Sequence, residues 1–197
     1  MDTSDFRRIF EPDVRCLVDW PRLEEHCHVS LELITAPEEL GALSTVWYVR
    51  DDDRLGGWQD QHAVRVTVND AARRTDFPSR ESAGYVERIQ RGILAGDHPR
   101  VWVTPAFRTQ TGETIILDGN HRAVALLMSG APIALFVAVA QGLDDARVFP
   151  DLLHERADRL TATEWGSEVR VLRRHFGLAD SGSPGAGGRH VGAHETG

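Results

Sequence analysis

Asp118-Gly119-Asn120-His121-Arg122 places a carboxylate, an imidazole and a guanidinium around one glycine. Residues of those types at that spacing can hold an anion, neutralise its charge and move a proton. The preceding Ile115-Ile116-Leu117 reads as a buried strand, and Val124, Leu127 and Met128 recur at the spacing of one helical face. The polar residues therefore stand where a strand turns into a helix. The first N–H groups of such a helix have no intrahelical acceptor, and its dipole leaves partial positive charge there, so a phosphate is a natural guest. Gly119 lets the backbone approach a ligand closely, and Arg122 adds a cationic fork. A structural reading uses the same residues differently. Asp118 or Asn120 is then an N-cap, Gly119 a turn residue, and His121 and Arg122 an exposed first-turn pair.

The elements that must position this corner can be read on both sides of it. Val64, Val66 and Val68 alternate with Arg65 and Thr67 as a strand, and Asn69 to Pro78 reads as a loop holding Arg73 and Arg74. Ser79 can cap a helix that Glu81 favours in its first turn; Tyr85, Ile89 and Ile93 share a face, and Gly96 ends it. Val101-Trp102-Val103 is expected to pair with Thr114 to Leu117 in an antiparallel hairpin, across a polar turn containing Gly112. After the corner, the helix from Asn120 stops at Gly130, Pro132 bars continuation, and Ile133 to Val139 runs as another apolar strand.

The Asp-Gly-Asn-His-Arg corner opens an apolar helix and follows the strand Arg100-Val101-Trp102-Val103-Thr104. In this it resembles the signature of the ParB/sulfiredoxin superfamily, Gly-x-His-Arg or Gly-x-Arg-Arg at the start of a helix that holds nucleotide phosphates. The resemblance covers residues 58–142, under half the chain. It implies an α/β fold of α+β type: a compact ParB/sulfiredoxin-like mixed sheet with flanking helices. Around that core, residues 1–57 read as an N-terminal strand–helix extension, 143–178 as a C-terminal helical segment and 179–197 as a disordered tail.

The superfamily includes partition proteins that bind CTP, sulfiredoxins that use ATP to repair an oxidised cysteine, kinases acting on free serine, and nucleases, and fold does not choose among them. Residues narrow the field. Sulfiredoxins carry a nucleophilic cysteine immediately before the His-Arg pair, where this chain has Asn120, and an amide cannot form the thiolate that chemistry needs. The partition proteins continue into a helix-turn-helix domain, and 143–178 shows no convincing pattern for one. At the corner the chain is most similar to the serine-kinase branch, which also carries aspartate before the glycine. By that resemblance the N–H groups from Gly119 through Asn120 to Arg122 cradle phosphate, His121 and Arg122 bind its oxygens, and Asp118 holds Mg²⁺ or accepts the acceptor's proton. The implied cofactors are ATP or ADP, with CTP as the alternative, and Mg²⁺. The implied partner is a small-molecule hydroxyl acceptor. The rival expectation is a nucleotide-responsive, DNA-associated or nuclease module.

Composition bears on that rivalry. The chain has 197 residues, 41% hydrophobic and 26% charged, which is ordinary for one main globular domain. Its net charge of −8 disfavours a sequence-independent grip on DNA, which normally needs a basic patch. Arg65, Arg73, Arg74, Arg80, Arg88 and Arg91 could still form a local basic face, unless they are solvated surface pairing with Glu81 and Glu87. No apolar run approaches a membrane span, and the start of the chain lacks a signal peptide's layout, so a cytoplasmic protein with no membrane partner is expected.

Cys16 and Cys27 make no disulfide framework and read as small buried residues. His26-Cys27-His28 with Cys16 lacks the spacing of a zinc site, and Asp51-Asp52-Asp53 reads as a solvated acidic loop. In the extension, Val29, Leu31 and Leu33 suggest a half-exposed strand. Thr35-Ala36-Pro37-Glu38 matches a capping box, and Leu40, Leu43, Val46 and Trp47 recur at helical spacing, with a boundary near residue 57. Beyond the core, Leu152, Leu153, Leu160, Val169 and Leu172 suggest amphipathic helices. The Gly- and Ser-rich tail carries His190 and His194, which need no metal explanation.

Overall fold

Seven strands form among the described residues, the longer ones carrying β-branched or aromatic residues: β1 (His28–Ile34), β2 (Ser44–Arg50), β3 (Leu55–Gly56), β4 (Ala63–Thr67), β5 (Trp102–Arg108), β6 (Thr114–Ile116) and β7 (Leu135–Gln141). The helices are α1 (Thr3–Phe10), α2 (Trp20–His26), α3 (Pro37–Ala42), α4 (Val68–Ala72), α5 (Arg80–Ala95) and α6 (Asn120–Ser129). The computed structural model describes residues 1–14, 18–50, 55–56, 62–74, 80–99 and 101–142. The chain divides into two units, Met1–Leu160 and Thr161–Gly197, and every described residue lies in the first. Cys16, the acidic loop, Ser79 and the segments 143–178 and 179–197 fall outside the described residues.

The strands make one mixed sheet in the order β1-β7-β5-β6-β2-β3, with β4 also paired to β2. β5 and β7 run parallel, as do β2 and β6, and the other pairs are antiparallel. The fold is therefore α+β, a mixed sheet with flanking helices. One face packs Ile116, Leu135, Val137 and Val139 against Leu40 of α3, Val68 of α4, Val86 and Ile89 of α5 and Val124 of α6. The other face packs Phe107, Ile115, Leu117 and Ala140 against Phe6 and Phe10 of α1 and Trp20 and Leu23 of α2. No helix among the described residues is long and apolar enough to cross a membrane.

The order strand, helix, hairpin, corner, helix, strand expected over 58–142 is present as β4, α5, β5–β6, α6 and β7. Residues 28–50, expected as part of an extension, contribute β1 and β2 to that same sheet, and β1 pairs with β7 along its whole length. Four local expectations are corrected. The helix expected through Val46 and Trp47 stops at Ala42, because Thr45, Val46, Trp47, Tyr48 and Val49 are strand formers and become β2. The capping box at Thr35 does not form; Ala36 is the N-cap, with no side-chain hydrogen bond.

The loop expected from Asn69 begins instead as α4, closed at its start by a real capping box between Thr67 and Asp70. The hairpin uses a later stretch of β5 than expected: Ala106, Phe107 and Arg108 pair with Ile116, Ile115 and Thr114, while Trp102 and Val103 pair with β7. Pro105 has no N–H to donate, but its carbonyl accepts from Leu117 N–H at 2.9 Å and the strand continues through it.

Candidate functional site

The corner is built by the sheet before it is decorated by the motif. β6 delivers the chain into Leu117-Asp118, and Gly119 turns it with φ 88° and ψ 13°, left-handed values that favour glycine. The turn is pinned from a neighbouring strand. Thr104, buried on β5, donates its hydroxyl to the Asp118 carbonyl at 2.6 Å. A Cβ at Gly119 would stand 2.5 Å from that hydroxyl oxygen, so both the backbone angle and the close approach require glycine.

α6 then begins without a side-chain cap. Its first intrahelical bond runs from Ala123 N–H to the Gly119 carbonyl. The N–H groups of Asn120, His121 and Arg122 have no acceptor among the described residues. Neither Asp118 nor Asn120 caps the helix, contrary to the structural reading of the motif. This leaves a set of unaccepted donors at the positive end of a ten-residue helix.

The motif side chains divide into separate roles. Asp118 and Arg122 are brought together: Arg122 Nη2 donates to Asp118 Oδ2 at 2.9 Å, both side chains being partly exposed. The guanidinium lies close over Gly119. Asn120 is directed inward. Its Oδ1 accepts from Val46 N–H at 3.2 Å, and its Nδ2 donates to the Ile116 carbonyl at 3.4 Å. The phosphate role expected for Asn120 is thereby left to its backbone N–H, and its side chain ties α6 to β2 and β6.

His121 packs against aromatic rings from two other elements. Its ring meets Trp47 of β2 edge-on at 4.9 Å and Tyr85 of α5 at 5.3 Å, and Nε2 is buried with no hydrogen-bond partner. Burial lowers its pKa below the ordinary 6.5, with Asp118 pulling in the opposite direction. The imidazole is therefore neutral at pH 7 and can take a proton.

Thr104, Trp47 and Tyr85 complete the site, and none stands within the motif. Thr104 alone was readable as part of the strand upstream. Trp47 was hidden by a helix-like spacing, and Tyr85 by its apparent place on the buried face of α5, where Val86, Ile89 and Ile93 are the buried residues. The other sequence candidates lie elsewhere. Arg65 on β4 is largely covered and committed, donating to Glu113 at 2.7 Å and to Tyr48 Oη at 2.8 Å, so it adds little to a basic surface. Arg73, Arg80, Arg88 and Arg91 are exposed, and Arg88 stacks over Tyr85. His26, Cys27 and His28 fall at the end of α2 and the start of β1, where the His28 ring lies 3.0 Å from the Gln141 amide. No cluster of three or more metal-ligating side chains occurs among the described residues.

Comparison with protein-family models, with curated proteins and with solved structures finds no match for this chain.

Proposed function

We propose that this chain is a nucleotide-binding enzyme of the ParB/sulfiredoxin-like class. It transfers a phosphoryl group from ATP or ADP to the hydroxyl of a small molecule at the Asp118–Arg122 corner. The observation that carries this reading is the conjunction at one turn of unaccepted first-turn N–H groups, the Arg122 guanidinium and the Asp118 carboxylate. The element order around that turn supports the same class. Phosphoryl transfer asks little covalent chemistry of a protein; it asks that phosphates be held, charge be neutralised and the acceptor be oriented.

On this reading the N–H groups of Asn120, His121 and Arg122 hold phosphate oxygens, and the Arg122 guanidinium supplies the fixed positive charge. Neutral His121 accepts the hydroxyl proton of the acceptor, with Trp47 and Tyr85 holding its ring. A single carboxylate suits Mg²⁺ that arrives with a nucleotide, because phosphates and waters supply its remaining ligands. Asp118 would hold that ion, which offsets phosphate charge when bound. Arg122 then moves from Asp118 to the phosphate, so the ion pair is the resting partner of both groups.

The test is calorimetric titration with ATP, ADP and CTP, with and without Mg²⁺, on wild type, Arg122→Ala and Asp118→Asn. Losing one charge-assisted phosphate contact costs about 1.5–3 kcal/mol, so Arg122→Ala should bind roughly ten- to a hundredfold more weakly. Asp118→Asn should keep most nucleotide affinity and lose phosphate transfer or hydrolysis. Unchanged affinity in a folded Arg122→Ala protein would sink the reading. Turnover that requires duplex DNA would replace it with the DNA-associated module.

A further inference from the structure

Three strands away from β6 and the corner, β1 presents a second feature, independent of the nucleotide reading. It is the terminal strand of the sheet: all seven residues, His28 to Ile34, are registered to β7, and no strand among the described residues pairs with its other side. Alternate N–H and C=O groups of β1 therefore point away from the sheet, a template for another strand. Edges are ordinarily blunted by proline, by a bulge, by shortness or by a charge left free. β1 has none of these. Its register to β7 runs without a shift, and its carboxylate, Glu32, is held on both oxygens by Arg108 at 2.9 and 2.7 Å.

One face of this edge is apolar and half covered. Val29, Leu31 and Leu33 alternate along it, and Val29 packs in the cluster that α1 and α2 close. The cover stops there. Leu31 and Leu33 are 50% and 51% exposed, and across the sheet Leu33 continues into Phe136 and then Val103, itself 44% exposed.

The residues of β1 select the occupant. Laid antiparallel to itself about Leu31, the strand pairs along its full length: Leu31 meets Leu31 of a second copy, Val29 meets Leu33, and Ser30 meets Glu32. At these five central positions apolar opposes apolar and polar opposes polar. A one-residue slip would set apolar against polar side chains, and a two-residue slip toward Ile34 would oppose the two Glu32 carboxylates. The two-fold axis of such a pair stands normal to the sheet, so both apolar stripes lie on one face. The helix-covered Val29 end of each copy then falls beside the open Leu33 end of the other. We propose that β1 is a dimer edge, through which two copies of this chain join antiparallel about Leu31 into one continuous sheet.

Seven paired residues make a seam about 24 Å long, an interface of the small and transient class, so a dissociation constant on the order of 10–100 µM is expected. Sedimentation velocity on the full chain from about 5 to 500 µM should show monomer giving way to dimer. Leu31→Lys sets like charges across the axis and should weaken the dimer roughly tenfold or more, whereas Leu94→Lys, at an exposed apolar position on α5, should leave it unchanged. Thiols read the register, and do so even where Leu31→Lys fails to fold. In a Cys16→Ser, Cys27→Ser background, Leu31→Cys should cross-link under mild oxidation roughly tenfold faster than Leu94→Cys, because the axis brings its two thiols together. The proposal is overturned by a monomer throughout that range, by a dimer that a folded Leu31→Lys protein forms as tightly as wild type, or by cross-linking of Leu31→Cys no faster than of Leu94→Cys. A monomer whose Leu31→Cys thiol resists a maleimide label would assign the edge to another segment of the same chain and equally overturn it.

Discussion

Replacing Gly119 by alanine tests the geometry on which the corner depends. At φ 88° a left-handed backbone costs an L-residue about 1–2 kcal/mol. The added Cβ would also stand 2.5 Å from Thr104 Oγ1, so that hydroxyl must move. Its 2.6 Å bond to the Asp118 carbonyl is then lost in a buried setting, which costs about 1–3 kcal/mol more. The total is about 2–5 kcal/mol. Gly130 provides the control, because it is also left-handed, with φ 63°, but has open space where its Cβ would be. Gly130→Ala should therefore show the backbone cost alone, and the effect of the lost glycine on the unfolded chain cancels between the two variants.

Urea unfolding of both, at equal denaturant slopes, reads the difference directly as about 1–3 kcal/mol. In a Thr104→Ala background that difference should vanish, since the obstructing hydroxyl is gone. A Gly119→Ala protein no less stable than Gly130→Ala would refute the claim that Thr104 pins the turn.

Acid should act on stability through His121. Because burial lowers its pKa below 6.5, the unfolded chain binds that proton more tightly, and stability present above pH 6.5 is lost as pH falls through the folded value. His121→Phe keeps a ring against Trp47 and Tyr85 and should flatten this acid-side loss; superimposable pH–stability profiles would exclude it. Glu113 accepts from Arg65 and from the Ser44 hydroxyl at 2.6 Å, while the Arg65 side chain is only 11% exposed. Glu113→Ala should cost about 2–3 kcal/mol by chemical denaturation, and Arg65→Met with Glu113→Leu less, because no buried charge is then left alone. Duplex DNA should bind weakly, log affinity falling by about 0.9 per log unit of salt for each phosphate contacted. Sub-micromolar anisotropy titrations at physiological salt would contradict that.

Where one period dominated, the sequence displayed the fold. Val64 and Val66 alternate and form β4; Gly96 and Gly130 end α5 and α6, and the apolar run after Pro132 becomes β7. Where two periods fitted, the wrong one was attractive. Leu40, Leu43, Val46 and Trp47 keep helical spacing, yet the same residues from Ser44 onward are β-branched and aromatic, and pairing with β4 and β6 makes them a strand. The extent of the hairpin was not legible from Val101-Trp102-Val103, because β5 runs on through Pro105, whose missing N–H is tolerated where its carbonyl is used toward Leu117.

The candidate site follows the same division between local and distant causes. Asp118 and Arg122 meet because residues four apart share a helix face, which spacing alone conveys. The state of His121 cannot be read that way. An exposed first-turn histidine keeps its ordinary pKa, and this one is held neutral because Trp47 arrives from β2 and Tyr85 from α5. Asn120 is recruited inward by Val46, on that same β2, so the strand mistaken for a helix fixes both the anchor of α6 and one wall around its histidine. A motif can state which groups stand at a corner; the protonation and orientation of those groups belong to the sheet that surrounds it.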